Sequence, residues 1–386
     1  MIRMLTAFTE EIEDPAGAVA EITAQLDLEH RLLRSSAGII QCYPEFLETG
    51  VARAICDALP FDVVGCTSLC TAVPGSAGLF QLTLTVLTGD DATFAAGASE
   101  STAESLDGPV DRLYAKLLAA LPEKPSMHII FHPYLLTHSG NDLTAKLSSL
   151  AGNAPFFGIR AIDETPDHAA ACAIYNGRRL TDSVALLAVA GNADPVFLMK
   201  NAATSCILSD NALVTASDGN MLKMVNGIPA LDYFRELGFV KNGEILGKEA
   251  LVFVVDAHDG LPPLCHVYVD TTAEGYVFCG GYIPAGADIR CAVIDPAHVA
   301  ASAVELAAEA LPYSRGKSIM IVSGASRFWA LGRNAPAEIE SMVKRMGGGP
   351  AAYTFAYSGG QIFPTRDAAG RWTNQFHNST LTMCIL

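Results

Sequence analysis

The chain has 386 residues, of which 50% are hydrophobic and 17% are charged, a composition that supports a well-buried core and excludes a disordered protein. Its length exceeds the usual size of a single hydrophobic core, which favours two domains. The formal net charge of −16 at pH 7 makes nucleic acid and anionic membranes unfavourable partners, because an acidic surface repels phosphate groups.

The chain start lacks the charged and apolar regions of a signal peptide, and the longest apolar runs are too short to span a membrane. The ten cysteines are scattered and lie mostly inside apolar runs, which is typical of buried, reduced thiols. These features together predict a cytoplasmic protein.

Strand and helix patterns alternate along the chain. In the first part, SSAGIIQCY and FDVVGCT predict strands on either side of a helix in PEFLETGVARAICDAL. The segment LFQLTLTVL alternates apolar and polar residues, which predicts a strand with one solvent-facing side.

The same order of elements recurs twice. MHIIFH and APFFGI predict strands around a helix in NDLTAKLSSLA, with Asn141 as its N-cap, and Asn176-Gly177 predicts a tight hairpin. KSIMIVSGA, APAEIESMVKRM and AAYTFAYSGG repeat the pattern, and QFHNSTLTMCIL closes it. We therefore predict three β–α–β–β units, at residues 36–89, 127–190 and 318–386.

A β-rich segment precedes the third unit, and its Gly- and Pro-rich turns predict antiparallel strands ahead of a helix in PAHVAASAVELAAEAL. The polar stretch ATSCILSDNALVTASDGN indicates a boundary, so we predict domains at 1–205 and 206–386. The expected fold is mixed α/β (α+β), with largely antiparallel sheets covered by helices and a ligand cleft between two lobes.

Cys66 and Cys70 lie four residues apart after a strand, in GCTSLC. A structural zinc site needs a second Cys or His pair, and no such pair follows at the usual spacing. Two interpretations stay open beside zinc. The segment is either a tight turn with a buried cysteine, or a loop whose Thr67, Ser68 and backbone N–H groups line a ligand cleft.

His128, His132 and His138 lie within HIIFHPYLLTH, where Pro133 predicts a strand that ends in a loop. They are either core and loop residues or ligands for haem or a metal. We find no convincing catalytic constellation and predict no enzymatic activity; the enzymatic alternative is Cys66 as a nucleophile.

Two arginines follow apolar strands, Arg160 after APFFGI and Arg327 after IMIVSGAS. Such residues are either solvated or placed to hold a carboxylate at a cleft. The C-terminal FHNST combines an aromatic ring, an imidazole, an amide and two hydroxyls, which fits a strand cap or the wall of a ligand site.

These residues together resemble the FIST (F-box and intracellular signal transduction) family. Gly65-Cys66-Thr67-Ser68 is similar to a Gly-Cys-Ser/Thr-Thr element of the family's N-terminal domain. PFFGIRAID is similar to a second element, which aligns Gly158, Ala161 and Asp163.

The later residues resemble the family's C-terminal domain, both at 213–239 with its G-x-P-A-L helix and in the closing strands. Two departures stand out: Cys70-Thr71 replaces a frequent Gly-Glu, and Gln361 replaces a glutamate. Neutral groups thus occupy positions where the family often has carboxylates.

The resemblance implies a small-ligand sensor for amino acids or other small metabolites, and haem-bound nitric-oxide sensing is the alternative through His132 or His138. We expect no bound cofactor otherwise. Because the residues contain no kinase or receiver segment, the output would pass to a separate histidine kinase or another signalling protein. The predicted ligand-binding residues are Gly65, Cys66, Thr67, Ser68, Gly158, Arg160, Asp163, Ser326, Arg327, Gln361, His377 and Asn378.

Overall fold

The computed structural model describes residues 2–386 except 135, 136, 153, 166, 243, 248, 249 and 348–350. Within these residues the strands form four sheets of six or seven strands and one two-stranded ribbon. Three of the sheets are built alike by three successive units of the chain, and helices cover them. The predicted mixed α+β class with largely antiparallel sheets is thereby confirmed.

The first unit contains two helical regions, at residues 15–31 and 45–57. Gly50, with a φ of 84°, divides the second region. The single helix predicted in PEFLETGVARAICDAL is therefore two short helices. The elements of the unit are β1 (Arg3–Thr9), α1 (Pro15–Leu26), α2 (Leu28–Arg31), β2 (Ser35–Cys42), α3 (Glu45–Glu48), α4 (Val51–Asp57), β3 (Val63–Thr67), β4 (Thr71–Val73), β5 (Ser76–Gly78) and β6 (Leu82–Gly89).

The second unit repeats this order. Its hairpin turns at Asn176 and Gly177, both with positive φ, as predicted from the sequence. Its second helix has Ser139 as its N-cap instead of the predicted Asn141, because the Ser139 hydroxyl accepts from the Asp142 N–H at 3.1 Å. The elements are β7 (Ala92–Ala98), α5 (Pro109–Ala120), β8 (Pro125–His132), α6 (Gly140–Ala151), β9 (Phe156–Arg160), β10 (Ala173–Tyr175), β11 (Arg178–Leu180) and β12 (Ala185–Gly191).

The third unit begins with β13 (Val196–Asn201) and a short 3-10 turn at Ala202–Ser205. An insert, which contains the seven-stranded sheet and the two-stranded ribbon, then interrupts it. The insert contains β14 (Ala212–Asp218), β15 (Met221–Val225), β16 (Ile228–Pro229), α7 (Ala230–Glu236), β17 (Val240–Lys241), β18 (Glu244–Ile245), β19 (Leu251–Asp256), β20 (Leu264–Thr271), β21 (Val277–Cys279) and β22 (Asp288–Val293). The third unit resumes with α8 (Pro296–Ser314), β23 (Ser318–Gly324), α9 (Ala325–Leu331), α10 (Pro336–Met346), β24 (Ala352–Ser358), β25 (Gly360–Arg366), β26 (Trp372–His377) and β27 (Thr380–Ile385).

The three similar sheets exchange their hairpins in a cycle. The strand orders are β1-β6-β2-β3-β10-β11, β7-β12-β8-β9-β25-β26 and β13-β27-β23-β24-β4-β5. Each unit thus supplies four strands of its own sheet and a hairpin to the sheet of another unit. Two of these sheets contain strands from both sides of residue 205, and the predicted boundary at 205/206 stays a prediction.

Each sheet contains one parallel pair, formed by the strands before and after a helix. The last residue pairs of these ladders are Cys42 with Thr67, His132 with Arg160, and Gly324 with Ser358. The chain leaves the sheet after each of these pairs, so the three ladder ends occupy equivalent positions in the three units.

The loops after the three ladder ends contact one another in a ring. The Ile162 N–H donates to the Thr67 carbonyl at 3.2 Å, and the Gly359 N–H donates to the Arg160 carbonyl at 2.9 Å. The Ser68 hydroxyl donates to the Tyr357 carbonyl at 2.9 Å and closes the ring. The loops at equivalent strand ends of the three units therefore come together.

A continuous apolar core lies between the inner faces of these sheets. Ile39, Ile129, Phe157 and Met320, from all three units, are packed there. The void among them is about 10 Å³, which is room for one water at most. Among the described residues, no helix combines the length and the apolar character that crossing a membrane would need.

Candidate functional site

Two adjoining cavities lie where the second unit, the insert and the third unit meet. Their volumes are about 650 and 400 Å³, and they share Tyr134, His168 and residues 267–269, so they form one cleft. The second unit forms one wall, β20 and residues 279–282 of the insert form the other, and the start of α9 closes one end. We call this space the insert cleft.

Arg160 is the last residue of β9 and lines the insert cleft. The equivalent ladder-end positions hold Thr67 in the first unit and Ser358 in the third. Only one of the three equivalent ends therefore carries a charge, and it is the one that the insert covers.

The guanidinium of Arg160 is held in place by the protein but has no acidic partner. Its Nη2 donates to the Tyr134 hydroxyl at 2.7 Å and to the Gly359 carbonyl at 2.5 Å, and its Cζ lies 3.8 Å from the Tyr134 ring centroid. No carboxylate of the described residues lies within 4.0 Å of it. Only 8% of the residue is exposed, and this burial lowers the pKa of Arg160, against an opposing contribution from Tyr134.

A buried cation without a counter-ion costs several kcal/mol in a protein interior. Both hydrogen bonds of Arg160 come from Nη2, so Nε and Nη1 donate to no acceptor in the described part of the chain. An anionic group in the cleft would supply the missing charge and accept from these donors.

Neutral imidazoles surround Arg160. Burial, with a smaller contribution from the positive charge of Arg160, lowers the pKa of His132 to about 3 and that of His266 to about 4. His266 Nδ1 lies 3.0 Å from Asn378 Oδ1, and Asn378 Nδ2 donates to the Gly359 carbonyl at 3.3 Å. This network fixes the end of the cleft that the third unit forms.

The other part of the insert cleft is apolar. Ile162, Val267, Val269, Ala325 and Trp329 line it. Val269 and Trp329 are 57% and 44% exposed, so they present apolar surface to the cleft. A ligand that covers them would remove apolar surface from water, worth about 25 cal/mol per Å².

Three of the predicted ligand-binding residues line this cleft, namely Arg160, Ser326 and Asn378. The Ser326 hydroxyl donates to the Ser379 hydroxyl at 2.9 Å, which ties the start of α9 to the turn between β26 and β27. The structure thus brings together one predicted residue from β9 and two from the third unit.

Thr67 and Ser68 lie outside the insert cleft and support the ring of strand-end loops instead. Thr67 Oγ1 accepts from the Cys172 N–H at 3.1 Å, and Ser68 Oγ donates to carbonyls of Cys70 and Tyr357. Their hydroxyls are therefore already used within the protein.

Gly65 and Gly158 are sites of close approach between strands. A Cβ on Gly65 would overlap the Ile40 carbonyl oxygen of the neighbouring strand β2. A Cβ on Gly158 would lie 2.6 Å from side-chain atoms of Ile130 and Ile362. Both glycines are explained by packing, and neither lines the cleft.

Cys66 is fully buried in the central core, outside the insert cleft. Burial, with a smaller contribution from Cys172, raises the pKa of the Cys66 thiol well above its usual value. A thiol in this state is a poor nucleophile, so nothing at Cys66 favours the enzymatic alternative, which stays a prediction. Cys70 is also buried, and no group of three or more His, Cys, Asp or Glu side chains among the described residues is arranged to hold a metal ion.

Arg327, also predicted as a ligand-binding residue, has its charge paired inside the protein. It is fully buried and forms an ion pair with Glu338, to which its Nε donates at 3.0 Å. Ser323 and Tyr357 donate to the same carboxylate at 3.0 and 2.6 Å. Its charge is therefore neutralised inside the third unit, and it does not reach the cleft.

Asp163, Gln361 and His377 are buried behind the cleft. Asp163 Oδ1 accepts from the Thr165 N–H and hydroxyl at 2.8 and 2.7 Å, and Gln361 Nε2 donates to the Ser358 hydroxyl. Burial lowers the pKa of His377 to about 3, with a smaller effect of His266. None of these three side chains lines the cleft.

The residues proposed as haem ligands are poorly suited to that role. His132 is buried, and its Nδ1 lies 3.0 Å from the Pro133 carbonyl. His138 lines the cleft, but Asp142, Asp218 and Arg160 line the same cavity, and this polar surface does not fit a large apolar macrocycle. No step through haem follows from this arrangement.

Sequence reasoning did not identify Tyr134, His168, Tyr268, Trp329 and Tyr282 as cleft residues. Tyr134 follows the end of β8, so the strand-end argument used for β9 would have found it. Tyr268 and Tyr282 belong to the insert, whose placement against the second unit has no local sequence signal.

A comparison with protein-family models matches residues 36–228 to the FIST N domain, which is half of the chain. The match does not extend to the predicted C-terminal FIST domain, which stays a prediction, and the F-box part of the expanded name is unsupported. A search of curated proteins finds no match to the chain. FIST domains are in general small-ligand-binding sensory domains of signal transduction. Since the match covers half of the chain, including the whole second unit with Arg160, the chain belongs to the FIST family.

Proposed function

We propose that the chain is a sensory protein whose insert cleft binds a small metabolite with an acidic group, amino-acid-like or of another class. The observation that carries this proposal is Arg160, a buried cation with free donors and no carboxylate within 4.0 Å among the described residues. An anionic ligand supplies the counter-charge that the protein lacks at this position.

The arrangement of the cleft suggests how binding becomes a signal. A ligand at Arg160 lies between the second unit, β20 of the insert and Asn378 of the third unit. It would join three parts of the chain that are distant in sequence and shift the population of their relative arrangement. We propose that a separate cytoplasmic partner, a histidine kinase or another signalling protein, reads this change.

The experiment uses the two tryptophans of the chain. Trp329 lines the cleft, whereas Trp372 packs on Arg366 and Phe197 away from it. In a Trp372→Phe variant, a panel of small carboxylates is titrated, and Trp329 fluorescence and Tm are recorded. A binding compound at one hundred times its Kd should stabilise the protein by about 2.7 kcal/mol.

The control compares two arginine variants. Arg160→Gln should abolish the fluorescence change and the rise in Tm, because it removes the cation. Arg178→Gln changes an exposed arginine on β11, outside the cleft, and should bind like the parent protein. Binding that survives Arg160→Gln unchanged, or a panel without any binder, would refute the proposal.

A further inference from the structure

The carboxylates in the insert cleft decide whether its ligand carries an ammonium group. An amino acid presents a carboxylate and an ammonium group, and an acidic side chain is the acceptor that would neutralise the ammonium charge. Asp142 and Asp218 are the two acidic residues among the described lining of the larger cavity.

Asp142 is committed to the protein. Its Oδ2 accepts from the Ser139 N–H and hydroxyl at 2.8 and 2.9 Å, and its Oδ1 accepts from the Tyr282 hydroxyl at 2.6 Å. A carboxylate has about four acceptor positions, so most of its capacity is used. Burial raises the pKa of Asp142, but the hydrogen bonds from Tyr282 and Ser139 outweigh this effect and lower it.

Asp218 is also engaged, and it lies at the surface. Its Oδ2 is 3.1 Å from Lys223 Nζ, and 70% of its side chain is exposed. A solvated carboxylate beside a lysine attracts a ligand ammonium only weakly. The uncommitted charge in the cleft is therefore that of Arg160.

The apolar part of the cleft indicates the kind of body that the ligand carries beside its acidic group. Trp329 and Val269 are exposed side chains that line the same space as Val267 and Ile162. They suit a phenyl ring or a branched alkyl group, and they offer no charge to a polar tail.

We infer that the insert cleft selects monocarboxylates with an aromatic or branched aliphatic body and without an ammonium group, in preference to the corresponding amino acids. This inference rests on the proposed function and names its ligand class. Arg160 binds the carboxylate, and the wall of Val267, Val269 and Trp329 covers the apolar body.

The test compares matched compounds on the full chain by isothermal titration calorimetry. The pairs are 3-phenylpropionate with L-phenylalanine and 4-methylpentanoate with L-leucine, and 2-phenylethylamine serves as the cation that lacks a carboxylate. Each des-amino acid should bind at least tenfold more tightly than its amino acid, and the amine should not bind.

Two variants separate the contributions. Trp329→Ala, at a half-exposed position, should weaken 3-phenylpropionate at least fivefold and leave acetate unchanged. Asp142→Asn keeps the shape of the helix cap and should leave the ratio between each acid and its amino acid within twofold of that of the parent.

The outcomes are distinguishable. Amino acids that bind as tightly as the des-amino acids, or that lose affinity specifically in Asp142→Asn, overturn the inference while the proposed function stands. Carboxylates that fail to bind at all, or that bind equally to Arg160→Gln, overturn both.

Discussion

At the scale of single residues, two buried arginines with similar sequence surroundings differ in what their charge faces. Arg327 pairs with Glu338 inside the third unit, whereas Arg160 contacts a tyrosine hydroxyl and a backbone carbonyl. The first charge is part of the folded core. The charge of Arg160 has no acidic partner among the described residues and is available to a ligand, which is why we place the ligand there.

The stabilities of two variants should reflect this difference. Arg327→Met leaves the fully buried Glu338 without its cation and should reduce the free energy of unfolding by about 3–5 kcal/mol. Arg160→Met removes an unpaired buried charge but also the hydrogen bonds to Tyr134 and Gly359. Because these two effects oppose each other, it should change the free energy of unfolding by no more than about 1 kcal/mol. Urea unfolding of both variants and the parent measures this. Equal destabilisation would show that Arg160 is a structural ion like Arg327.

At the scale of elements, the ends of the parallel ladders organise the molecule. Three units place Thr67, Arg160 and Ser358 at equivalent positions, and the loops after them form the ring of contacts. The close packing of β2 on β3 needs a residue without a side chain at Gly65. The Gly-Cys-Thr-Ser segment is therefore a packing element of the first unit.

Two glycine variants test this interpretation. Gly65→Ala should destabilise the protein by about 3 kcal/mol, because the new methyl group meets the Ile40 carbonyl in the backbone of β2. Gly97→Ala, in β7, meets only the flexible ends of Leu113 and Leu117 and should cost less than about 1 kcal/mol. Thermal unfolding compares the two. A tolerated Gly65→Ala would return this segment to consideration as a ligand loop.

At the scale of the whole molecule, the three sheets with exchanged hairpins and the sheet of the insert bury several neutral histidines. Burial lowers the pKa of His128 and His266 to about 4 and that of His132 and His377 to about 3. Unfolded histidine has a pKa of about 6.5, so between these values the unfolded chain binds more protons than the folded protein. The stabilisation that comes from burying these histidines as neutral groups is fully present above about pH 6.5, and it is lost as the pH falls toward their folded-state pKa values.

We expect the free energy of unfolding to fall between pH 7 and pH 5, by about 2 kcal/mol for each such histidine at pH 5. His128→Phe should reduce this pH dependence, because it removes one titratable imidazole. The new ring can keep the stacking on Phe156, whose centroid lies 4.5 Å from that of His128. Urea unfolding at pH 7, 6 and 5 measures both proteins. A stability that is constant over this range would mean that the histidines are not buried as neutral groups.

The order of elements was predictable from sequence because it depends on local periodicity. The strands at the ladder ends, the Asn176-Gly177 hairpin and the three-unit pattern result from apolar spacing and turn residues close together in the chain. The same logic selected Arg160 and Asn378, since polar residues at strand ends tend to meet at one edge of a sheet.

Only the tertiary structure decided which of the three ladder ends forms a candidate ligand site. A sequence pattern does not show that each unit adds its hairpin to the sheet of another unit. It also does not show that residues 264–282 lie against Arg160, which is more than one hundred residues earlier in the chain. It also cannot tell that Glu338 neutralises Arg327 while Arg160 has no acidic partner among the described residues. The physical reason is that the effect of a charge depends on its neighbours in space, and those are set by long-range packing.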